Sequence, residues 1–372
     1  MVDIALIFLS CTYAIFLCML CIGISKNSYI RTANITKNYS VSVLVAVRNG
    51  AKTISELFEI LIKQDYKGSM EFIIIDDESS DNTKDIIFSY MAKDFRFKYA
   101  CSIDGDPNLS LKKRALDAGI KISSNNILLF TDMDCRPVRS WVRCMVESLQ
   151  HDTDYLIGMS YALKQNTIVS KFQSIDFYFL MKSALALTGI NLGNASSGQN
   201  ILYKKTIYNH ANGFSKISNC LQGDDTLFLQ IVKKFANVAG ANIDGYVICR
   251  TEKNWLSLIK QRVRWAGDAN IMWKFNSYFY FVMLAIFIYS LLLVVCTIYS
   301  LYYQDFWIVL ICSIICKFLL EFFFLHFKKS HPQRFSFFEF LLWFIIQPFY
   351  IVLVGLGSFI ADQLSWRGRT IQ

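Results

Sequence analysis

"ILLFTDMDC", Ile127 to Cys135, decides how this chain of 372 residues is read. A short apolar run ends in two aspartates separated by one residue. An apolar strand that emerges into carboxylates places negative charge at the carboxyl edge of a sheet, where open α/β sheets bind their ligands. The surrounding segments fit such a sheet. "VSVLVAV" (Val41 to Val47) is the β-branched run a buried parallel strand needs, and a helical stretch, Thr53 to Lys63, follows it. "EFIIIDDESSDNT" (Glu71 to Thr83) reads as a strand ending in Asp76 and Asp77, then a turn and a second helix. Phe97 to Cys101 is a third strand, Ser110 to Ile122 a helix, and Ile127 to Phe130 a fourth strand. This alternation predicts an α/β domain with a parallel sheet flanked by helices.

Two of these strands deliver acids to one rim. Each acid has a structural alternative: Asp81 with Asn82 suits a helix cap, and Asp132 could cap the helix after Pro137. For Asp81 the cap is the better reading. Asp76, Asp77, Asp132 and Asp134 together are harder to explain that way, because like charges held close are costly without a counter-cation. The turn after the first strand reads "RNGAKT", so neither a dinucleotide fingerprint nor a P-loop is present to cradle phosphates. A D-x-D sequence supplies hard oxygen ligands for Mg²⁺ or Mn²⁺, and such an ion can hold a diphosphate instead.

The second half adds more acids and a basic segment. In "NCLQGDDTLFLQ" (Asn219 to Gln230), Asp224 and Asp225 precede an apolar helical stretch, Leu227 to Val232. A cap accounts for one of them and leaves one for chemistry. "SLIKQRVRWAGD" (Ser257 to Asp268) interleaves Lys260, Arg262 and Arg264 with Leu258, Val263 and Trp265. The pattern suits an interfacial amphipathic helix, and the same guanidinium and indole groups could hold a diphosphate and flank a sugar.

Composition points to lipid: 54% of residues are hydrophobic and 15% aromatic. Ile4 to Ile24 carries no charge and is long enough to span a bilayer. A signal peptide is the alternative, but no small-residue cleavage pattern follows it, so a retained anchor is expected. Apolar density returns in Ser277 to Tyr303, Phe306 to Phe327 and Phe340 to Ala361. Lys26, Arg31 and Lys37 beside the anchor, with Lys328, Lys329 and Arg334 between the last two blocks, place the intervening domain in the cytoplasm of a multi-pass cell-membrane protein. Three spans after that domain would leave Arg367 and Arg369 outside, against the rule, unless Pro348 breaks the last block into an interfacial or re-entrant piece. The net charge of +9 suits anionic lipid, and because the basic residues lie beside apolar blocks, no nucleic-acid partner is expected. The 11 cysteines are scattered or lie in apolar blocks; Cys18 and Cys21 form a C-x-x-C that reads as apolar packing, and a reducing compartment fits. Lys317 and Glu321 sit one helical turn apart within an apolar block and should neutralise each other, although ionisable residues in lipid also invite a functional reading. The expected organisation is an anchor at 1–26, a catalytic domain at 40–253, an interfacial helix at 254–275, about three membrane segments within 277–362, and a tail at 363–372.

Taken in order, "AVRN", "DDES", "DMD", "GDD" and "QRVRW" resemble the motifs of the inverting family 2 glycosyltransferases. The closest likeness is to the membrane-integrated branch containing cellulose, hyaluronan and chitin synthases and lipid glucosyltransferases. The resemblance spans about residues 41 to 265 and is specific only in combination. It implies a GT-A fold, a mixed and mostly parallel sheet with flanking helices, and a nucleotide-sugar donor, here a UDP-sugar. It implies that Asp76 and Asp77 recognise uracil and ribose beside Ala46 to Arg48, and that Lys112 lies near the diphosphate, with Lys113 as the alternative register. Asp132 would contact the nucleotide sugar, Asp134 would ligate the metal, and Asp225, neighboured by Asp224, would be the general base. Gln261, Arg264 and Trp265 would bind the diphosphate and the acceptor end. "SSGQN" (Ser196 to Asn200), with Gly198 and Gln199, sits where the family has an acceptor loop, and the terminal "WRGR" resembles the tail of bacterial members. Attack opposite the leaving group would turn an α-linked donor into a β-glycoside. The expected acceptor is lipid-linked or membrane-proximal, with processive polysaccharide synthesis as the alternative; a non-catalytic scaffold is disfavoured because every expected acid is present.

Overall fold

The computed structural model describes residues 2–27, 39–220, 222–302, 307–328, 332 and 334–363. Arg31, Lys37, Lys329, Arg367, Arg369 and the "WRGR" tail lie outside the described residues.

Strands β1 (Val41–Val47), β2 (Met70–Asp76), β3 (Phe97–Cys101) and β4 (Ile127–Phe130) run parallel in the order β3-β2-β1-β4. Both faces of β1, β2 and β4 are covered, which is why each reads as an almost unbroken apolar run. Helices α2 (Ile54–Ile62), α3 (Thr83–Met91) and α4 (Leu111–Ile122) make the crossovers. Val47 pairs with Asp76 and Leu44 with Phe130, so the three strands end at one rim. Asp81 serves the start of α3 as expected: its carboxylate accepts the backbone N–H groups of Thr83 at 3.1 Å and Ala51 at 3.1 Å.

Beyond β4 the chain switches sheets. Strands β5 (Cys135–Pro137), β7 (Ser160–Ala162) and β10 (Val247–Cys249) form a second sheet in the order β5-β10-β7. The turn between β4 and β5 therefore carries Asp132 to Asp134 across the junction of the two sheets. Strand β6 (Tyr155–Ile157), with β8 (Ile201–Lys204) and β9 (Val238–Gly240), completes the seven-stranded sheet, β8 lying antiparallel to β4. Helix α5 (Trp141–Glu147) begins at Ser140, so Asp132 does not cap it. Helices α7 (Lys205–His210) and α8 (Thr226–Val232) pack beneath this half.

A long helix, α6 (Ile168–Thr188), packs between the two-sheet domain and the apolar helices Val2–Asn27 and Phe337–Gly357. Sequence analysis did not single it out, although Thr167 caps it by accepting the Ser170 N–H. Helix α9 (Trp255–Gly267) carries the Gln261 to Trp265 motif, and a short α10 (Ala269–Phe275) leads into the apolar segments. Among the described residues, four helices are long and apolar enough to cross a membrane: α1 (Val2–Asn27), α11 (Ser277–Ser300), α12 (Trp307–His326), and Phe337–Ala361, which comprises α13 (Phe337–Gly357) and part of a 3-10 turn (Ser358–Gln363).

Two sequence expectations change here. Pro348 does not break the last block, because α13 runs through it without interruption. Yet α13 is tied to the catalytic half at both ends: Glu339 takes Lys164 at 3.2 Å, and Ser358, just after the helix, accepts from Asn270 at 2.9 Å. Midway, Tyr350 meets Arg262 of α9 at 3.1 Å. α13 therefore packs on the two-sheet half as well as along α11 and against Lys317 of α12. The second change concerns α9, where Arg262 turns inward and is 5% exposed, so this basic residue does not face lipid headgroups.

Candidate active site

The rim of the parallel sheet gathers three of the six expected acids, Asp132, Asp224 and Asp225, around one lysine. Lys112, in the first turn of α4, reaches Asp132 at 2.9 Å and Asp224 at 2.9 Å. Lys113 instead turns away and donates to the carbonyls of Cys220 and Gln222, so Lys112 is the lysine of the site. Burial opposes the charge on Lys112, but Asp132 and Asp224 outweigh it and hold the ammonium well above its ordinary range. Positive φ at Asn49, Glu78 and Leu111 marks the loops bordering this rim, and non-glycine residues adopt that conformation only where the surroundings impose it.

Asp225 caps α8 by accepting the Thr226 N–H at 2.5 Å and takes the Gly198 N–H on its other oxygen at 2.9 Å. Burial, reinforced by Asp224, pushes its carboxyl up to about 6. Gly198 lies close against the cluster: a Cβ there would sit 2.9 Å from the Lys112 Nζ and 3.2 Å from an Asp224 oxygen, so a side chain would displace the Lys112 ammonium. Thr226 stitches the same loop in place: its hydroxyl donates to the Ser196 carbonyl at 2.9 Å and accepts the Ser196 N–H at 3.2 Å. The loop from Ser196 to Asn200 is thereby fixed against Asp224 and Asp225.

Residues 42–210 match the description Glycosyl transferase family 2. The chain contains a family 2 glycosyl transferase domain. Poly-beta-1,6-N-acetyl-D-glucosamine synthase of Staphylococcus aureus (strain COL) is 28% identical over 179 residues, 46% of this chain and 41% of that protein. Glycosyltransferase GlyG of Streptococcus pneumoniae serotype 4 is 27% identical over 122 residues, 32% of this chain and 39% of that protein. The chain thus spans less than half the length of the curated relatives it matches. The structure of mannosyltransferase PcManGT from Pyrobaculum calidifontis, in complex with GDP-Man and Mn²⁺, covers 99% of this chain and 100% of its own, with a TM-score of 0.65 and 12% identity. At that identity the likeness is one of fold, and it agrees with the expected GT-A architecture.

Within the glycosyl transferase domain, Asp132, Asp134 and Cys135 bring ligand atoms within 4.8 Å of one another. Burial drives the Cys135 thiol well above its ordinary range, so the two carboxylates are the ligands suited to a hard cation. Asp76 and Asp77 are more withdrawn, at 4% and 2% exposed. Asp76 accepts the Ser79 N–H at 3.0 Å, and the Asp77 carbonyl takes Arg48 at 2.6 Å. They border the site through Arg48 and do not join the Lys112 cluster.

A cavity of about 860 Å³ opens from this cluster, lined at the catalytic end by Ala46, Arg48, Asp134, Gln199 and Asp225. From α9 it takes Gln261, Arg264 and Trp265, bringing the expected motif to the same space. Gln261 donates to Glu252 at 3.1 Å, and the Arg264 carbonyl accepts from Gln222, beside Asp224, at 2.8 Å. Arg262, expected on the headgroup face of an interfacial helix, is instead the tie between layers: it reaches Asp176 of α6 at 3.1 Å and donates to Tyr350 at 3.1 Å. Its guanidinium carbon lies 4.3 Å from the centre of the Trp265 ring. Asp176 sits eight residues inside α6 among apolar neighbours, and a lone acid in such a helix was the available signal for this pair.

Proposed function

We infer that this chain is a membrane-bound inverting glycosyltransferase that moves a sugar from a nucleotide-sugar, a UDP-sugar by preference, to a hydroxyl of a lipid-linked or membrane-proximal acceptor. The observation that carries this reading is the cluster of Lys112, Asp132, Asp224 and Asp225 on the rim of a family 2 domain, opening into a cavity walled partly by apolar helices. Asp225, its carboxyl pushed up to about 6, is ionised at neutral pH yet basic enough to take a proton from an attacking hydroxyl. Gly198 and Thr226 aim it through their N–H groups. Lys112 neutralises the neighbouring acids and stands where the diphosphate would lie, while Arg264 and Gln261 flank it from α9. Arg48, Asp76 and Asp77 border the nucleoside end, and Trp265, with Gly198 and Gln199, borders the acceptor end. Asp132 and Asp134 would hold Mg²⁺ or Mn²⁺, which would supply neutralisation of charge on the departing diphosphate.

With Lys26 and Lys328 on one side of α1 and α12, the positive-inside rule puts the glycosyl transferase domain in the cytoplasm. A second reading, processive polysaccharide synthesis, is favoured by the activity in the name of the staphylococcal relative.

Nucleotide release by purified protein in lipid nanodiscs, with Mn²⁺ and a panel of UDP- and GDP-sugars, tests the proposal. One donor should be turned over, and Asp225→Asn should lower kcat by roughly 10²- to 10⁴-fold with nucleotide affinity retained, since Asn still caps a helix. Full turnover by Asp225→Asn overturns the assignment. A ladder of products in place of one adduct selects the polysaccharide reading.

A further inference from the structure

The catalytic cavity does not stop at the acids. Beyond Trp265 it continues between α6 and α11, with α13 and α1 closing its sides. We propose that this wing is the binding site for the hydrocarbon chain of an amphiphilic acceptor, whose headgroup hydroxyl then reaches Asp225. The proposal rests on the glycosyltransferase reading above and specifies its acceptor.

Chemistry of the walls carries the argument. Met181, Ala184 and Leu187 of α6 and Met283, Ile286 and Phe287 of α11 line this part of the cavity. Ser183, the hydroxyl on this stretch of α6, is already committed to the Phe179 carbonyl of its own helix at 2.8 Å. Asp176 is the one charged residue that α6, α11 and α13 lend to the lining, and Arg262 neutralises it at 3.1 Å. A glycan entering here would leave water for walls that return few hydrogen bonds, whereas a hydrocarbon chain gains from the same burial. The volume, about 860 Å³, lies within the range of small-molecule sites. The polar end and the apolar end are one space, so a single amphiphile satisfies both.

The test uses the full chain in nanodiscs of phosphatidylglycerol doped with a diacylglycerol that carries a photoreactive diazirine near one acyl terminus. Irradiation and peptide mapping should place adducts on cavity-facing Met181, Ala184 and Met283 above those on outward-facing Ile288 and Ile308. Ala184→Trp, and independently Met283→Trp on α11, should abolish the cavity adducts and transfer to membrane acceptors, while donor binding and slow metal-dependent donor hydrolysis persist. Asp225→Asn should keep the cavity adducts and lose transfer. Adducts confined to outward-facing positions, or unchanged transfer in both tryptophan variants, overturn the chain site even when donor turnover is intact. Loss of donor turnover from the wild-type chain instead overturns the glycosyltransferase reading, a separate outcome.

Discussion

Half-buried Lys112 and fully buried Lys317 each pair with carboxylates, and only the first stands at a candidate active site. Lys112 lies between Asp132 and Asp224 with Asp225 alongside, so one cation faces three acids at the mouth of a cavity. Lys317, within α12, pairs with Glu321 at 2.7 Å and donates to Gln347 at 2.9 Å, and Tyr13 gives its hydroxyl to the other oxygen of Glu321 at 2.5 Å. In that second cluster one cation meets one anion, and neutral groups from α1 and α13 satisfy what remains. Charge stoichiometry separates the two. A balanced pair binds helices together, whereas an excess of acid leaves one carboxyl with a raised affinity for protons and a use for a cation.

The largest expected effect breaks the balanced cluster. Lys317→Met strands Glu321 in an apolar bundle, where it is 0% exposed, and should cost roughly 3–5 kcal/mol. Thermal unfolding in nanodiscs would show it, and Lys317→Met combined with Glu321→Gln should recover most of the loss without changing donor turnover. If the double variant folds well yet turns over no sugar, the cluster is more than a tie between helices.

Lys112→Met attacks the unbalanced cluster. The fold should survive, because Asp132 remains partly in contact with water at the cavity mouth, but kcat/KM should fall by about 10²- to 10³-fold, the scale for removing an oriented charge-stabilising group. A loss below tenfold in steady-state kinetics would put Lys112 in the same class as Lys317.

How far the sequence could be read follows the same division. β1 and β4 fall on the residues expected of them because a strand covered on both faces must be apolar throughout, and that run is visible without any partner. Asp132, Asp134, Asp224 and Asp225 were legible because acids that end apolar segments need a reason to be there. The bond from Gly198 to Asp225, the choice of Lys112 over Lys113, and the turn of Arg262 toward Asp176 were not legible. Each depends on which way a helix faces once it packs, and adjacent lysines or alternating arginines look alike before that. The position of α13 was hidden for a related reason: length and hydropathy describe a helix able to span, whereas its placement is decided by Lys164, Asn270 and Arg262, all distant in the chain.

The excess of acid also has a signature in pH. As the proposed base Asp225 would have to be ionised to accept a proton, and its carboxyl is pushed up to about 6 by burial and by Asp224. The base is therefore present above about pH 6 and is lost as pH falls through that value, so kcat should drop about tenfold per unit below it. The residual rate of Asp225→Asn should show no such limb. A limb of unchanged position in that variant would assign the titration to another group.

The smallest effect tests whether the membrane side speaks to the site at all. Arg262 holds α9 against α6 and α13 at once, and Tyr350 supplies one of its two hydrogen-bond partners. Tyr350→Phe removes that hydroxyl and leaves the ring packed on Phe172, so the cost should be about 1 kcal/mol. If Tyr350 only secures α13, the loss appears in the unfolding midpoint and kcat stays put. If it positions α9, the same energy appears as a roughly fivefold lower kcat with an unchanged KM for the donor, because Gln261, Arg264 and Trp265 ride on the helix that Arg262 anchors. The second result is expected, since Arg262 lies directly over the Trp265 ring and any tilt of its guanidinium moves the indole with it.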